Sequence, residues 1–299
     1  MPLPVIALVL SALVSVAQVS SALRPDPPMV CASCVEWNVP VEPFRIHGNT
    51  YYVGTAGLSA VLVTSDQGHV LLDGGLSQSA ALIDANIRTL GFRTEDVRVI
   101  TVSHEHYDHV GGIAALQRVS GATVVASAPA AQALAQGLPL DTDPQISLGR
   151  EVNAFPAVKD VRVVADGEVV RVGPLAITAH LTPGHTPGAA TWSWQACEGS
   201  QCLGVVYIDS LNPISGPGFR FTDDPARVAA YRRGLATVES LPCDIALSVH
   251  PAMTDIAGKQ ARRSAAGANP FVDPQACRAY AASVTTRLDA RLAQEARQP

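Results

Sequence analysis

The segment Val102-Ser103-His104-Glu105-His106-Tyr107-Asp108-His109-Val110-Gly111-Gly112 holds three of the chain's eight histidines and one aspartate. Residues 97–102 read as a buried strand, so the cluster begins where extended chain ends. His104 and His106 stand two apart, the spacing that puts side chains on one side of an extended segment. Asp108 and His109 follow at the start of a glycine-rich turn. Four ligand-type side chains on one short loop can hardly close on a single ion without strain. They can feed two ions side by side.

Two further histidines occupy matching positions. His185 lies in Thr182-Pro183-Gly184-His185-Thr186-Pro187-Gly188, directly after a strand-like run, in a turn stiffened by two prolines. His250 follows the apolar run 245–249 and is braced by Pro251. The set becomes five histidines and one aspartate. That is enough for two zinc sites with three protein ligands apiece and an open position on each, the mark of catalytic rather than structural zinc. No thiolate belongs to the set, and its imidazole weighting favours zinc over copper(I) or iron–sulfur chemistry. His47, His69 and His180 read instead as hydrogen-bonded structural residues.

Working outward, residues 50–54, 58–64 and 69–72 read as strands separated by glycine-containing turns. Residues 77–90 have helical periodicity, with Ala80, Ile83, Ile87 and Leu90 on one face. Helices are expected over 111–119 and 129–136, with a strand over 123–126 between them. Residues 137–156 show no periodicity, and a loop that long in a compact domain is usually functional. Strands resume at 161–164, 169–172, 176–181, 190–195 and 205–208. Asp224-Pro225 is a helix cap followed by proline at the first helical position, opening a helix to about residue 239. A last core strand over 245–249 precedes a terminal helix over 274–296. Two successive strand-rich halves, each with helices, predict two sheets face to face with helices outside.

With 47% hydrophobic and 16% charged residues, the composition suits a packed core and excludes a disordered chain. The net charge is -5 and no basic run tracks a phosphate backbone, so nucleic acid is excluded as a partner. Residues 3–19 form an apolar run followed by the proline-rich Arg24-Pro25-Asp26-Pro27-Pro28. Small residues suit cleavage after Ala17 or Ala22, which makes residues 1–22 an export signal and leaves no stable membrane association afterwards. No Lys or Arg precedes the run, and a retained membrane anchor is the alternative. Residues 23–44 read as an irregular arm, and 45–299 as one domain.

Six cysteines fit an oxidising compartment, and export places the chain in the periplasm. Cys197 and Cys202 flank a short polar loop between strand-like runs, a natural clip across a hairpin. Cys243 and Cys277 lie either side of the last strand and would tie it to the terminal helix. Cys31 and Cys34 form a Cys-x-x-Cys in a proline-flanked segment. A redox role needs a strand-to-helix setting that this segment lacks, so a structural disulfide is the better reading.

Ser103-His104-Glu105-His106-Tyr107-Asp108-His109, with Leu72-Asp73-Gly74-Gly75 upstream and Pro183-Gly184-His185-Thr186 downstream, resembles the metallo-β-lactamase superfamily signature. Residues 44–57, Asp143-Pro144-Gln145, Asp209-Ser210-Leu211, Cys243-Asp244-Ile245 and the tail from Cys277 to Ala282 resemble subclass B3 of those enzymes. So do the pairings Cys197/Cys202 and Cys243/Cys277. The resemblance implies an α/β protein with a four-layer αββα sandwich and two zinc ions in a groove along one edge. It implies His104, His106 and His185 on the first zinc and Asp108, His109 and His250 on the second. A hydroxide shared by the two ions would attack the amide carbonyl of a β-lactam, with Asp108 as the catalytic residue that orients it; zinc lowers the pKa of bound water to roughly 7. Ser210 and Asn212 would bind the substrate carboxylate, although many relatives have a hydroxyl residue where Asn212 stands. Trp37 and the loop around Gln145 would wall the groove, with a place for Trp37 in the core as the alternative. The expected partners are small-molecule penicillins, cephalosporins and carbapenems, and the expected state is a monomer. The same fold carries thioesterases of the glyoxalase II type and lactonases. Those enzymes usually bridge their metals with an aspartate after a later strand, near the position of Asp209.

Overall fold

In the computed structural model, residues 22–264 and 267–297 are described. The expected export signal therefore lies almost wholly outside the described residues. Among those described, no helix is long and apolar enough to cross a membrane.

Seven strands form the first sheet in chain order: β1 Phe44–His47, β2 Thr50–Tyr52, β3 Val61–Val63, β4 His69–Leu72, β5 Val97–Thr101, β6 Thr123–Ala126 and β7 Val161–Val163. The first four pair antiparallel and the last four parallel. The second sheet runs β12-β11-β10-β9-β8, from β8 Val169–Val172, β9 Leu175–Leu181, β10 Ala190–Glu198, β11 Gln201–Ile208 and β12 Ile245–Ser248. Its strands pair antiparallel except β11 with β12, so β9, β11 and β12 all point the same way.

Apolar side chains of both sheets meet in one core, with Leu72, Val125, Ile177, Trp192, Tyr207 and Leu247 all buried. Each fully buried aliphatic side chain there contributes about 1.5–3 kcal/mol. The outer face of the first sheet is covered by α2 Ser79–Thr89, α4 Ile113–Ser120 and α5 Ala128–Gln136. The second sheet is covered by α7 Pro225–Ser240 and α9 Ala276–Ala296. These four layers are the αββα sandwich expected. Asp224 caps α7 as predicted, its carboxylate accepting from the Arg227 N–H at 2.9 Å, a contact worth about 1 kcal/mol.

Several short elements depart from the sequence expectation. The arm is not wholly irregular, because α1 Cys34–Trp37 interrupts it and buries Cys34 against Leu58 and Leu76. β1 precedes the first strand expected, at residues 50–54, and only its last two residues are buried, too few to show an alternation. Two short helices, α3 Tyr107–Val110 and α6 Arg150–Asn153, sit inside the histidine segment and the long loop respectively, and α8 Ile256–Ala261 follows the last strand. Each is six residues or fewer, too short for periodicity to register. All six cysteines are paired, Cys31–Cys34, Cys197–Cys202 and Cys243–Cys277.

Candidate metal centre

The candidate ligands all stand at one edge of the sandwich, past the C-terminal ends of strands from both sheets. His104 and His106 follow β5, and Asp108 and His109 lie on α3. His185 comes after β9, and His250 after β12. Two glycine pairs set the turn on which α3 rests. The Gly74 N–H donates to the His109 carbonyl at 2.9 Å, and the Gly112 N–H donates to Gly75 at 3.2 Å. A Cβ at Gly112 would lie 2.3 Å from the Gly74 carbonyl oxygen, an approach only glycine allows. Asp73, in left-handed backbone at φ 60°, locks the base of this turn. Its carboxylate accepts from the Ser103 N–H at 2.8 Å, the Ser103 hydroxyl at 2.6 Å and the Tyr207 hydroxyl at 2.8 Å.

The rings of His104, His106 and His185 stand 4.7–4.9 Å apart, centre to centre, at interplanar angles of 79–89°. One nitrogen from each lies within 4.8 Å of the others. A second trio of donors, within the same distance, comes from His104, Asp108 and His109. His250 completes this side, with Nε2 3.3 Å from His109 Nε2 and 3.6 Å from Asp108 Oδ2. Asp108 Oδ2 lies 3.1 Å from His109 Nε2.

Each ring turns its other nitrogen toward a group outside the cluster, although Nδ1 of His109 is buried without a hydrogen-bond partner. Nδ1 of His104 lies 2.7 Å from Asp209 Oδ1, and Nε2 of His106 is 3.2 Å from both Asp143 oxygens. His185 Nδ1 donates to the Asn212 carbonyl at 2.7 Å, and His250 Nδ1 to the Gly57 carbonyl at 3.3 Å. His109 Nδ1 faces Asp73 at the longer distance of 3.7 Å. Outer partners of this kind fix the tautomer and aim of metal-binding imidazoles. His104 Nε2 is buried and has no hydrogen-bond partner. An imidazole nitrogen left so, among other imidazoles and a carboxylate, fits a metal ion as its missing partner.

The electrostatics divide the rings: burial opposes charge on His106, but Asp143 overcomes it and raises the ring, and three other rings are pushed the opposite way. Burial, with His109 and His185 close by, holds His104 well below the usual histidine range. Burial and His106 press His185 to about 3, and burial and His109 press His250 to about 4. These rings are neutral, as metal ligation requires. Burial opposes charge on His109, but Asp108 and Asp73 overcome it and raise the ring to about 10. Burial also opposes the Asp108 carboxylate, yet His109 and His250 hold it well below the usual carboxylate range.

The residues expected to meet substrate lie on two loops packed together beside the cluster. The Gly216 N–H donates to the Pro144 carbonyl at 2.8 Å, joining them. Gln145 Nε2 sits 3.4 Å from His106 Nδ1. Ser210 is buried, and its carbonyl accepts from the Tyr280 hydroxyl at 2.7 Å. Asn212 acts on His185 through its backbone carbonyl, leaving its amide side chain free of hydrogen bonds among the described residues. Leu211, between them, adopts φ 44°, a costly conformation for a branched side chain that marks a constrained strap. Trp37 is half-buried with its ring 5.5 Å from His250, so it borders the cluster and also packs on the core of the arm. Of the residues read as structural, His180 Nε2 is 2.8 Å from the Ser193 hydroxyl, His69 Nδ1 accepts from the Ser65 N–H, and His47 lies against Glu198.

Sequence reasoning gave no role to Asp73, Glu105 or Asp143. All three stand in the motifs that carry the resemblance. Their function, holding backbone or ring nitrogens from behind, has no signature in the order of residues.

Residues 54–196 match the family described as the metallo-beta-lactamase superfamily. Among solved structures, the Rm3 metallo-β-lactamase is 50% identical, with a TM-score of 0.86 over 90% of this chain and 100% of that one. MEM-A1, a subclass B3 metallo-β-lactamase isolated from a soil metagenome library, is 48% identical with a TM-score of 0.84 over 88% and 100%. The metallo-β-lactamase SMB-1, solved bound to 2-mercaptoethanesulfonate, is 47% identical with a TM-score of 0.84 over 87% and 99%. A hydroxyacylglutathione hydrolase of Anaeromyxobacter dehalogenans is 32% identical over 154 residues, 52% of this chain. The chain spans about half the length of the curated relatives it matches. With the fold, the histidine cluster and near-complete coverage of the B3 enzymes in agreement, the chain belongs to the metallo-β-lactamase superfamily, among enzymes of subclass B3.

Proposed function

We propose that this chain is a zinc-dependent β-lactamase that opens the cyclic amide of penicillins, cephalosporins and carbapenems. The observation that carries the reading is the convergence of six donor side chains, five of them imidazoles whose second nitrogen faces a partner outside the cluster. His104, His106 and His185 would hold one zinc, and Asp108, His109 and His250 a second. Zinc so held supplies Lewis acidity that activates water near neutral pH and polarises a carbonyl. Asp108 is ionised at neutral pH and stands beside both His109 and His250, placed to orient the attacking water. Ser210 and Asn212 would hydrogen-bond the substrate carboxylate, with Gln145 on the opposite loop. Trp37 would close the groove beside His250.

A single domain over residues 45–299, acting as a monomer in the periplasm after loss of residues 1–22, completes the proposal. The apolar run at residues 3–19 and the three disulfides support export.

The similarity to hydroxyacylglutathione hydrolases favours one second reading, an exported thioesterase of the same superfamily. Zinc-loaded protein incubated with a chromogenic cephalosporin and with a carbapenem separates the two. Turnover of both, abolished by a chelator, is expected. Two bound zincs with no lactam turnover, and cleavage of a glutathione thioester instead, would establish the second reading.

A further inference from the structure

Glu105 stands between two candidate ligands, yet its side chain engages a different loop. It is fully buried. Its Oε2 accepts from the Thr186 hydroxyl at 2.8 Å, and its Oε1 accepts from the Gly188 N–H at 2.9 Å. Thr186 directly follows His185, and Gly188 closes the same turn, so one carboxylate grips the loop that presents His185.

The seat is closely built. A Cβ at Gly188 would lie 2.7 Å from Glu105 Oε2 and 2.5 Å from the Ala130 nitrogen, so only glycine lets the backbone come this near. The Ser127 hydroxyl donates to the Gly188 carbonyl at 2.7 Å, and the Ala190 N–H donates to the Ser103 carbonyl at 2.7 Å. These struts join the start of α5, the β5 loop and the β9 loop. A carboxylate without water costs several kcal/mol unless donors satisfy it, so its placement here is specific to those donors.

We infer that Glu105 is a positioning residue that fixes His185 against His104 and His106, completing the three-imidazole site without touching metal or substrate. The inference rests on the reading that these three histidines hold one metal ion. Asp108, His109 and His250 do not hang on the Thr186–Gly188 turn, so the effect belongs to one of the two sites.

The test is titration of the metal-free, full-length protein with cobalt(II), following ligand-field absorption and heat. Wild type should take up two ions. Glu105→Ala should weaken one of them by about 10–100-fold, the usual effect of removing an outer partner, and leave the other unchanged. His185→Ala should abolish binding of the same ion, which identifies it. Glu105→Gln should restore it, because the amide oxygen accepts from Gly188 and the amide nitrogen donates to the Thr186 hydroxyl. Thr186→Val removes one contact only and should give a smaller loss at that ion, keeping the test open if Glu105→Ala fails to fold. Equal weakening of both ions, or of neither, in the variants that fold would overturn the role of Glu105. A wild type that takes up no cobalt would overturn the metal reading, and this inference with it.

Discussion

Asp209 Oδ1 lies 2.7 Å from Nδ1 of His104, while Nε2 of the same ring is buried with no hydrogen-bond partner. The aspartate thus holds the ring from outside the cluster, which is how an outer partner behaves rather than a bridging ligand. Its Oδ2 accepts from the Leu211 N–H at 3.1 Å, while Oδ1 meets the ring as a close charge contact without an aligned hydrogen bond. Asp209→Ala should therefore still bind two zinc ions at saturating metal, with affinity for one lowered by about 10–100-fold. Zinc content measured by mass spectrometry after extensive loading decides it. A variant limited to one ion would make Asp209 a ligand, as in the thioesterase-like site.

His106 has no substitute among the three-imidazole donors, because His104 and His185 each already supply one nitrogen to that site. His106→Ala should release that zinc and cut lactam turnover at least a hundredfold, since a metal's transition-state stabilisation is worth several kcal/mol. It should also leave Asp143 buried without its ring partner. Turnover within a few-fold of wild type would sink the assignment.

Long elements and the six candidate ligands were legible in the sequence because each leaves a local signature. Strands β5 and β12 are apolar runs that end at histidines, and α7 announces itself by Asp224-Pro225. Positions of the second nitrogen on each ring were not legible. Asp143 meets His106 across 37 positions and Glu105 meets Gly188 across 83, and no spacing rule connects residues that far apart. Asn212 shows a different limit. Its link to His185 runs through a carbonyl that any residue would provide, so the side chain's identity carries no trace of it. The short helix α3 escaped because four residues cannot display a 3.6-residue period.

Ser210 stands on a strap whose backbone carbonyls are held by Tyr280 on one side and by His185 on the other. A group that binds the substrate carboxylate before and during reaction contributes uniformly to both states. Ser210→Ala should raise KM about 10–100-fold, the worth of one hydrogen bond to a charged group, with kcat nearly unchanged. Steady-state kinetics on a cephalosporin measures this. A loss confined to kcat would contradict the carboxylate role.

Acid should weaken the metal-free protein over a defined range. His185 near 3 and His250 near 4 lie below the value of about 6.5 for an unfolded histidine. The unfolded chain therefore binds more protons than the folded one between those limits. Stability is full above about pH 6.5 and falls as pH drops toward 4, by on the order of 1.4 kcal/mol per group for each pH unit. His109, raised to about 10, acts in the opposite sense. Its contribution is full below about pH 6.5, fades as pH rises above that and is gone above 10, so it does not mask the acid loss. Asp209, raised by burial to about 7, offsets the loss of one imidazole as pH falls from 7 toward about 4. Urea midpoints of chelated protein should fall steadily from pH 6.5 to 4.5. Saturating zinc should raise the whole curve and steepen that fall, because protons then compete with the metal for the same nitrogens. Midpoints that stay flat from pH 6.5 to 4.5 in the chelated protein would show that these imidazoles are not held neutral by their surroundings.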